Sequence, residues 1–158
     1  MRVEYINPFV EATYNVLKEV LGGVEVKRGD LFLKEATMKI MGVAALVGLA
    51  GDVEGRVLFD MSKDTALKVV SAMNGGEEFK TLDDMAKATI TELANMITAQ
   101  AVTKLHELGF KFDLTPPALF SGENMEISNT LKVEALIVPM EMGALGKIEV
   151  NVVIRERL

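Results

Sequence analysis

The sequence predicts an α+β domain made of two copies of one unit, with the strands paired into one largely antiparallel sheet and long helices over a face. Three observations carry this. Ala45-Leu46-Val47 recurs as Ala135-Leu136-Ile137 at an offset of 90, and Gly55-Arg56-Val57 recurs as Gly146-Lys147-Ile148 at 91, with a helix pattern ahead of each hairpin. From Leu82 to Leu108 there is no glycine or proline, and apolar residues at 86, 90, 93, 97, 101, 105 and 108 keep to one helical face. The apolar stretches of both hairpins are too long for half-exposed strands, so helices must cover them.

The elements follow in order. Asn7 caps orphan amides and Pro8 is pre-set for a first helical position, so a helix is expected from about 8 to 21, stopped by Gly22-Gly23. Val24 to Leu33 reads as a short strand and Thr37 to Leu49 as a longer one. Gly51 to Gly55 turns the chain into a hairpin partner, Arg56 to Met61. Ser62 caps a helix that ends at Asn74-Gly75-Gly76. After the long helix, closed by Gly109, come an extended piece (Phe110 to Leu114), a rigid Thr115-Pro116-Pro117 and a loop at 121–124. Two β-type runs follow, Met125 to Met140 and Lys147 to Ile154, joined through Met142 to Gly146. The chain is expected to be a single domain over 1–158, its halves meeting at about residue 76.

The sequence has 158 residues, 49% of them hydrophobic and 25% charged, which is the composition of a globular chain with one substantial core. It has no cysteine, so disulfides, thiolate nucleophiles and cysteine zinc sites are excluded. His106 is the only imidazole. A net charge of -6 argues against nucleic acid, whose binders concentrate positive charge. The uncharged run from Ile40 to Gly51 is shorter than the roughly 20 residues of a membrane span, and Glu4 and Pro8 interrupt any signal-peptide core. A cytoplasmic protein with neither membrane nor nucleic acid as partner is expected. Glu141 stands where a phosphate-binding loop ending at Gly146-Lys147 would need its first glycine, so that stretch reads as a turn.

Taking Glu92 as reference and about 100° per residue, Ile90, Leu93, Ile97 and Ala101 fall between about 100° and 180° and mark the buried side of the long helix. Asn95 lies at about -60°, so Glu92-x-x-Asn95 faces solvent with about 4.5 Å of rise between the two. Ala88 and Ala99 share that face and leave it low, while Met85 and Met96 border it with adaptable, polarizable contacts. On spacing alone the pair is also what an ordinary solvated helix face would show. His106 is about 21 Å further along the helix, too far to share a small site.

The stretch Thr89-Ile-Thr-Glu92-Leu-Ala-Asn95-Met, on a long helix between two αββ halves with Pro116 and Pro117 about twenty residues on, resembles the CheC/CheX/FliY family of chemotaxis phosphatases. It is most similar to the CheX branch. The family pattern has an acidic or seryl residue four positions before the glutamate, where this chain has Ala88. The resemblance implies hydrolysis of the aspartyl phosphate of the response regulator CheY. Asn95 would hold the attacking water, Glu92 would bind the partner's active-site lysine, and Ala88, Met85, Met96 and Ala99 would lie in the partner-binding surface. It also implies Mg2+ in the phosphorylated partner's site, no cofactor in this chain, and a homodimer joined through edge strands.

Such a reaction suits these residues, since phosphoryl transfer is catalysed mainly by positioning and charge, and a carboxamide can orient water as glutamine does in small GTPases. The prolines would rigidify the loop beside the site, or simply shape a turn. By the repeat, Glu11 parallels Glu92 and Tyr14 stands where Asn95 stands, so one active site per chain is expected. The alternative is a non-catalytic interaction module of the flagellar switch, like FliM, which the resemblance places in the same fold.

Overall fold

The computed structural model describes residues 3–34, 37–128 and 133–156. In chain order these form α1 (Val3–Val20), β1 (Lys27–Arg28), β2 (Phe32–Lys34), β3 (Thr37–Lys39), β4 (Gly42–Gly51) and β5 (Val53–Ser62). Next come α2 (Lys63–Met73), α3 (Asp84–Glu107), β6 (Phe112–Leu114), β7 (Ala118–Ser121), β8 (Glu126–Ser128), β9 (Ala135–Glu141), a 3-10 turn (Gly143–Leu145) and β10 (Lys147–Glu156). The main sheet runs β1-β9-β10-β5-β4-β6, with β2 also on β9 and β7 also on β4, and every pairing is antiparallel. β3 and β8 form a separate two-stranded ribbon.

The hairpins β4-β5 and β9-β10 meet through their second strands. There Phe59 faces Val150, the residue onto which the repeat offset of 91 maps it. A pseudo-two-fold axis therefore passes through the middle of the sheet, as the α+β repeat requires. The glycines of the repeated tripeptide are fixed by sterics. Gly55 has φ 150°, and a Cβ there would run into the Val153 carbonyl; Gly146 has φ 104°, and a Cβ there would meet the Thr65 hydroxyl.

Alternation decides the two faces. Val57, Phe59 and Met61 of β5 and Ile148, Val150, Val152 and Ile154 of β10 are buried in one cluster with Phe9, Val16 and Leu17 of α1 and Ile90, Ile97 and Leu105 of α3. The opposite phase carries Ala44, Leu58, Ala135, Ile137 and Val153, against which Met125, Ile127 and Val133 pack. Helices thus cover one face, as expected. The other is closed by the chain around the β3-β8 ribbon, which is why the strands are apolar on both sides.

Caps set α2 and α3. Ser62 accepts from the Thr65 N–H at 3.1 Å, and Asp83 accepts from the Ala86 N–H at 2.8 Å. Gly75, Gly76 and Gly109 adopt the positive φ that ends each helix.

Four expectations need correcting. α1 begins by Val3, so Pro8 lies inside it although it cannot donate to the Glu4 carbonyl. Burial of Tyr5 and Ile6 holds that first turn, with the Tyr5 ring edge-on to Phe110 at 4.8 Å and its hydroxyl donating to the Glu156 carboxylate. The run 24–33 gives two short pieces, β1 and β2. The runs 37–49 and 125–140 each divide between ribbon and main sheet; part of the second, residues 129–132, lies outside the described residues. Ser121, expected in a loop, instead ends the edge strand β7, and Pro116 and Pro117 sit between β6 and β7 where the ladder with β4 is interrupted. There Thr115 bridges the gap, its N–H donating to the Gly48 carbonyl at 3.0 Å and its Oγ1 accepting from the Gly48 N–H at 2.7 Å.

Candidate functional site

α3 is 24 residues long, and its buried positions are Ala86, Thr89, Ile90, Leu93, Ala94, Ile97, Thr98, Ala101 and Leu105. The remaining surface is set by that stripe. Met85, Ala88, Glu92, Asn95 and Ala99 are all exposed, as the helical spacing predicts, with Met85 at 57%. Met96 departs from them: it is half-buried and packs against the core, so it borders the face rather than standing on it.

Among the described residues, neither the Glu92 carboxylate nor the Asn95 carboxamide has a hydrogen bond or ion pair. Both groups are therefore available to an incoming molecule. The threonines of α3 are spent within the helix, Thr91 donating to the Lys87 carbonyl at 2.9 Å, Thr98 to Ala94 at 2.8 Å and Thr103 to Ala99 at 3.0 Å. Thr89 donates to the Met85 carbonyl at 2.9 Å and accepts from the Asn74 side chain at 3.1 Å.

Among the described residues, two clefts lie elsewhere. One of about 500 Å³ is lined by Gly51, His106 and residues 109–113, and one of about 590 Å³ by Ile40–Val43, Lys63, Leu82 and residues 121–124. Glu92 and Asn95 line neither. A carboxylate and an amide on an open helix surface, flanked by two alanines, cannot enclose a small substrate; they can complete a site carried on another protein. His106 is exposed near the helix C-terminus with its ring edge-on to Phe112 at 5.5 Å.

On α1, Glu11 is exposed, but Tyr14 is half-buried against the core with the Lys18 ammonium 5.7 Å from its ring centre. Tyr14 is thus partly packed and carries no amide where Asn95 presents one.

Sequence reasoning missed the polar groups on the sheet face away from the helices. Asp60 is fully buried and accepts from the Met41 N–H at 3.0 and 3.3 Å; across the strands it faces Glu149, which is 5% exposed. Burial, with the Glu149 charge adding to it, pushes the Asp60 carboxyl up to about 6 against the Met41 hydrogen bond. Burial also lowers Arg56, whose Nη1 is 3.5 Å from the Asn151 Oδ1. The available signal was the shared phase of Arg56, Leu58 and Asp60 in β5.

Comparison with known proteins bears on the family of the chain. The family model described as chemotaxis phosphatase CheX matches residues 43–141, a span that contains Glu92 and Asn95. The CheY-P phosphatase CheX of Thermotoga maritima is 35% identical over 133 residues, covering 82% of this chain and 83% of that protein. A solved CheX–CheY–BeF3–Mg2+ complex from Borrelia burgdorferi is 46% identical, covers 98% of this chain and 100% of that one, and superposes with a TM-score of 0.85. A CheC-like superfamily protein from a Shewanella species is 28% identical with a TM-score of 0.86, covering 98% and 99% of the two chains. A match over more than half of the sequence, carried by this fold, means that the chain belongs to the CheX family of chemotaxis phosphatases.

Proposed function

We propose that this chain is a protein phosphatase acting on the aspartyl phosphate of CheY, with Asn95 and Glu92 as its working pair. The observation that carries the residue assignment is the exposed Glu92-x-x-Asn95 of α3, unpaired among the described residues and flanked by Ala88 and Ala99. The chemistry needs little more. Asn95 holds a water in line with the phosphorus, its carbonyl accepting a hydrogen bond from the water and its N–H2 donating to the phosphoryl oxygens. Water adds to phosphorus, the bond to the aspartyl oxygen breaks, and the products are inorganic phosphate and the free carboxylate. Most of the acceleration comes from positioning. Glu92 pairs with the lysine of the partner's site and fixes the register of the helix on it, while Met85, Ala88, Met96 and Ala99 form the contact surface.

Glu92 and Asn95 offer Mg2+ one carboxylate and one amide oxygen, and among the described residues no group of three or more His, Asp or Glu side chains could hold a metal ion. The magnesium of this reading belongs to the partner, in keeping with the Mg2+ of the Borrelia burgdorferi CheX–CheY complex, and this chain supplies no cofactor. The chain works as one domain over 1–158 and as a homodimer, which the exposed Leu31, Phe32 and Leu33 at the β2 edge support. A cytoplasmic location remains the sequence expectation; among the described residues no helix is long and apolar enough to cross a membrane. Phosphate release from phosphorylated CheY tests the reading: the chain accelerates it catalytically, and a chain that binds CheY without speeding release is an interaction module instead.

A further inference from the structure

We propose that Asn74 is a positioning residue for the docking face of α3, acting through Thr89; the inference rests on the reading of Glu92 and Asn95 as the working pair. Asn74 caps the C-terminus of α2, where its backbone N–H donates to the Val70 and Ser71 carbonyls. Its side-chain Nδ2 donates to the Val70 carbonyl at 2.8 Å and to the Thr89 Oγ1 at 3.1 Å. The orientation of the amide is fixed, because a carbonyl can only accept and the nitrogen must face it. With its oxygen taken as acceptor, the Thr89 hydroxyl donates onward to the Met85 carbonyl at 2.9 Å.

The result is a continuous chain, Val70 carbonyl to Asn74 amide to Thr89 hydroxyl to Met85 carbonyl, that ties the end of α2 to one turn of α3. That turn runs from Met85 to Thr89, carries the exposed Met85 and Ala88, and ends three residues before Glu92. Thr89 is almost buried and Asn74 half-buried, so water competes little for the link. The tie reaches Glu92 before it reaches Asn95, which lies a turn further from it. Loosening it should disturb the approach of the partner more than the orientation of the water.

Steady-state hydrolysis of phosphorylated CheY distinguishes this from a plain helix cap. Asn74→Ala should raise KM about fivefold, the value of one ordinary hydrogen bond, with kcat within about twofold of wild type. Thr89→Val, which keeps the shape of the side chain, should do the same, the double variant should be no worse than either single one, and Thr89→Ser should restore the wild-type KM. Wild-type KM in both Asn74→Ala and Thr89→Val, with Tm lowered or not, overturns the proposal, provided Asn95→Ala in the same assay is inactive. An Asn95→Ala protein with full turnover overturns instead the underlying assignment, and this proposal with it.

Discussion

In the proposed reaction Asn95 has little to do, because an acyl phosphate is already reactive and positioning supplies most of the catalysis. Its amide is exposed and makes no hydrogen bond among the described residues, so Asn95→Ala should leave folding and CheY binding nearly intact while turnover falls about 100-fold or more, the usual loss when one orienting group is removed. Measured kcat together with an independent binding titration checks this, and near-wild-type kcat would refute the role. Glu92→Ala should differ in kind: the partner's lysine loses its counter-charge on docking, so binding weakens along with turnover, and a variant that binds normally would remove the docking role. Asp60 yields a prediction about stability. The folded chain holds the Asp60 proton up to about pH 6, whereas an unfolded carboxyl releases it near 3.8. Between those values the native state binds more protons than the unfolded state, so this group's contribution is fully present at low pH and is lost as pH rises through about 6, by roughly 2–3 kcal/mol. Denaturant unfolding of wild type and Asp60→Asn from pH 4 to 8 reads it directly: the asparagine variant should gain relative to wild type across that window, and parallel curves would exclude the effect. The phase that Asp60 shares with Leu58 in β5 was the one sequence signal, and it did not separate a buried carboxylate from an exposed one, because an Asp in an alternating strand looks the same on a wet face and on a face covered by a ribbon.

At the scale of elements, the sequence signals that succeeded were local ones. The Ser62 cap, the positive-φ glycines and the unbroken 3.6-residue stripe of α3 act within a few residues of where they are read, and all three placed their elements within about two residues. The signals that failed were overridden from a distance. Pro8 should start a helix, yet Tyr5 finds partners in Glu156 of β10 and Phe110, Ile6 is buried in the core, and together they extend the helix backward. Continuous β patterns over 37–49 and 125–140 hid the points where the chain passes from ribbon to sheet, since strand propensity carries no information about which sheet a residue joins. The same distinction governs the two long helices. α1 and α3 are related by the repeat, but Glu11 is followed by a packed Tyr14 where Glu92 is followed by a free-standing Asn95. Glu11→Ala combined with Tyr14→Phe, which removes the phenol and keeps the packing, should leave turnover per chain unchanged. Loss of about half the activity in a folded protein would mean that α1 carries a second site.

The molecule as a whole has two sheet edges, and they are treated differently. On the β4 side, Pro116 and Pro117 interrupt the outer strand between β6 and β7, which limits further pairing there. On the β9 side, β1 and β2 are only two and three residues long, but Leu31, Phe32 and Leu33 are exposed at 47%, 38% and 60%. Three consecutive exposed apolar residues at the open edge of β2 are a liability for a monomer, and a second copy of the chain, joined edge to edge, is the occupant that the proposed homodimer supplies. α3 lies over the face of the sheet rather than at this edge, so such pairing leaves Glu92 and Asn95 open to CheY. Light scattering at micromolar concentration should therefore give twice the 17.2 kDa mass of the chain. Leu33→Lys, which sets like charges against each other across the join, should shift the particle toward 17.2 kDa while phosphate release per chain persists. A wild-type particle of single-chain mass would sink the dimer, and a Leu33→Lys protein that stays fully dimeric would move the interface away from β2.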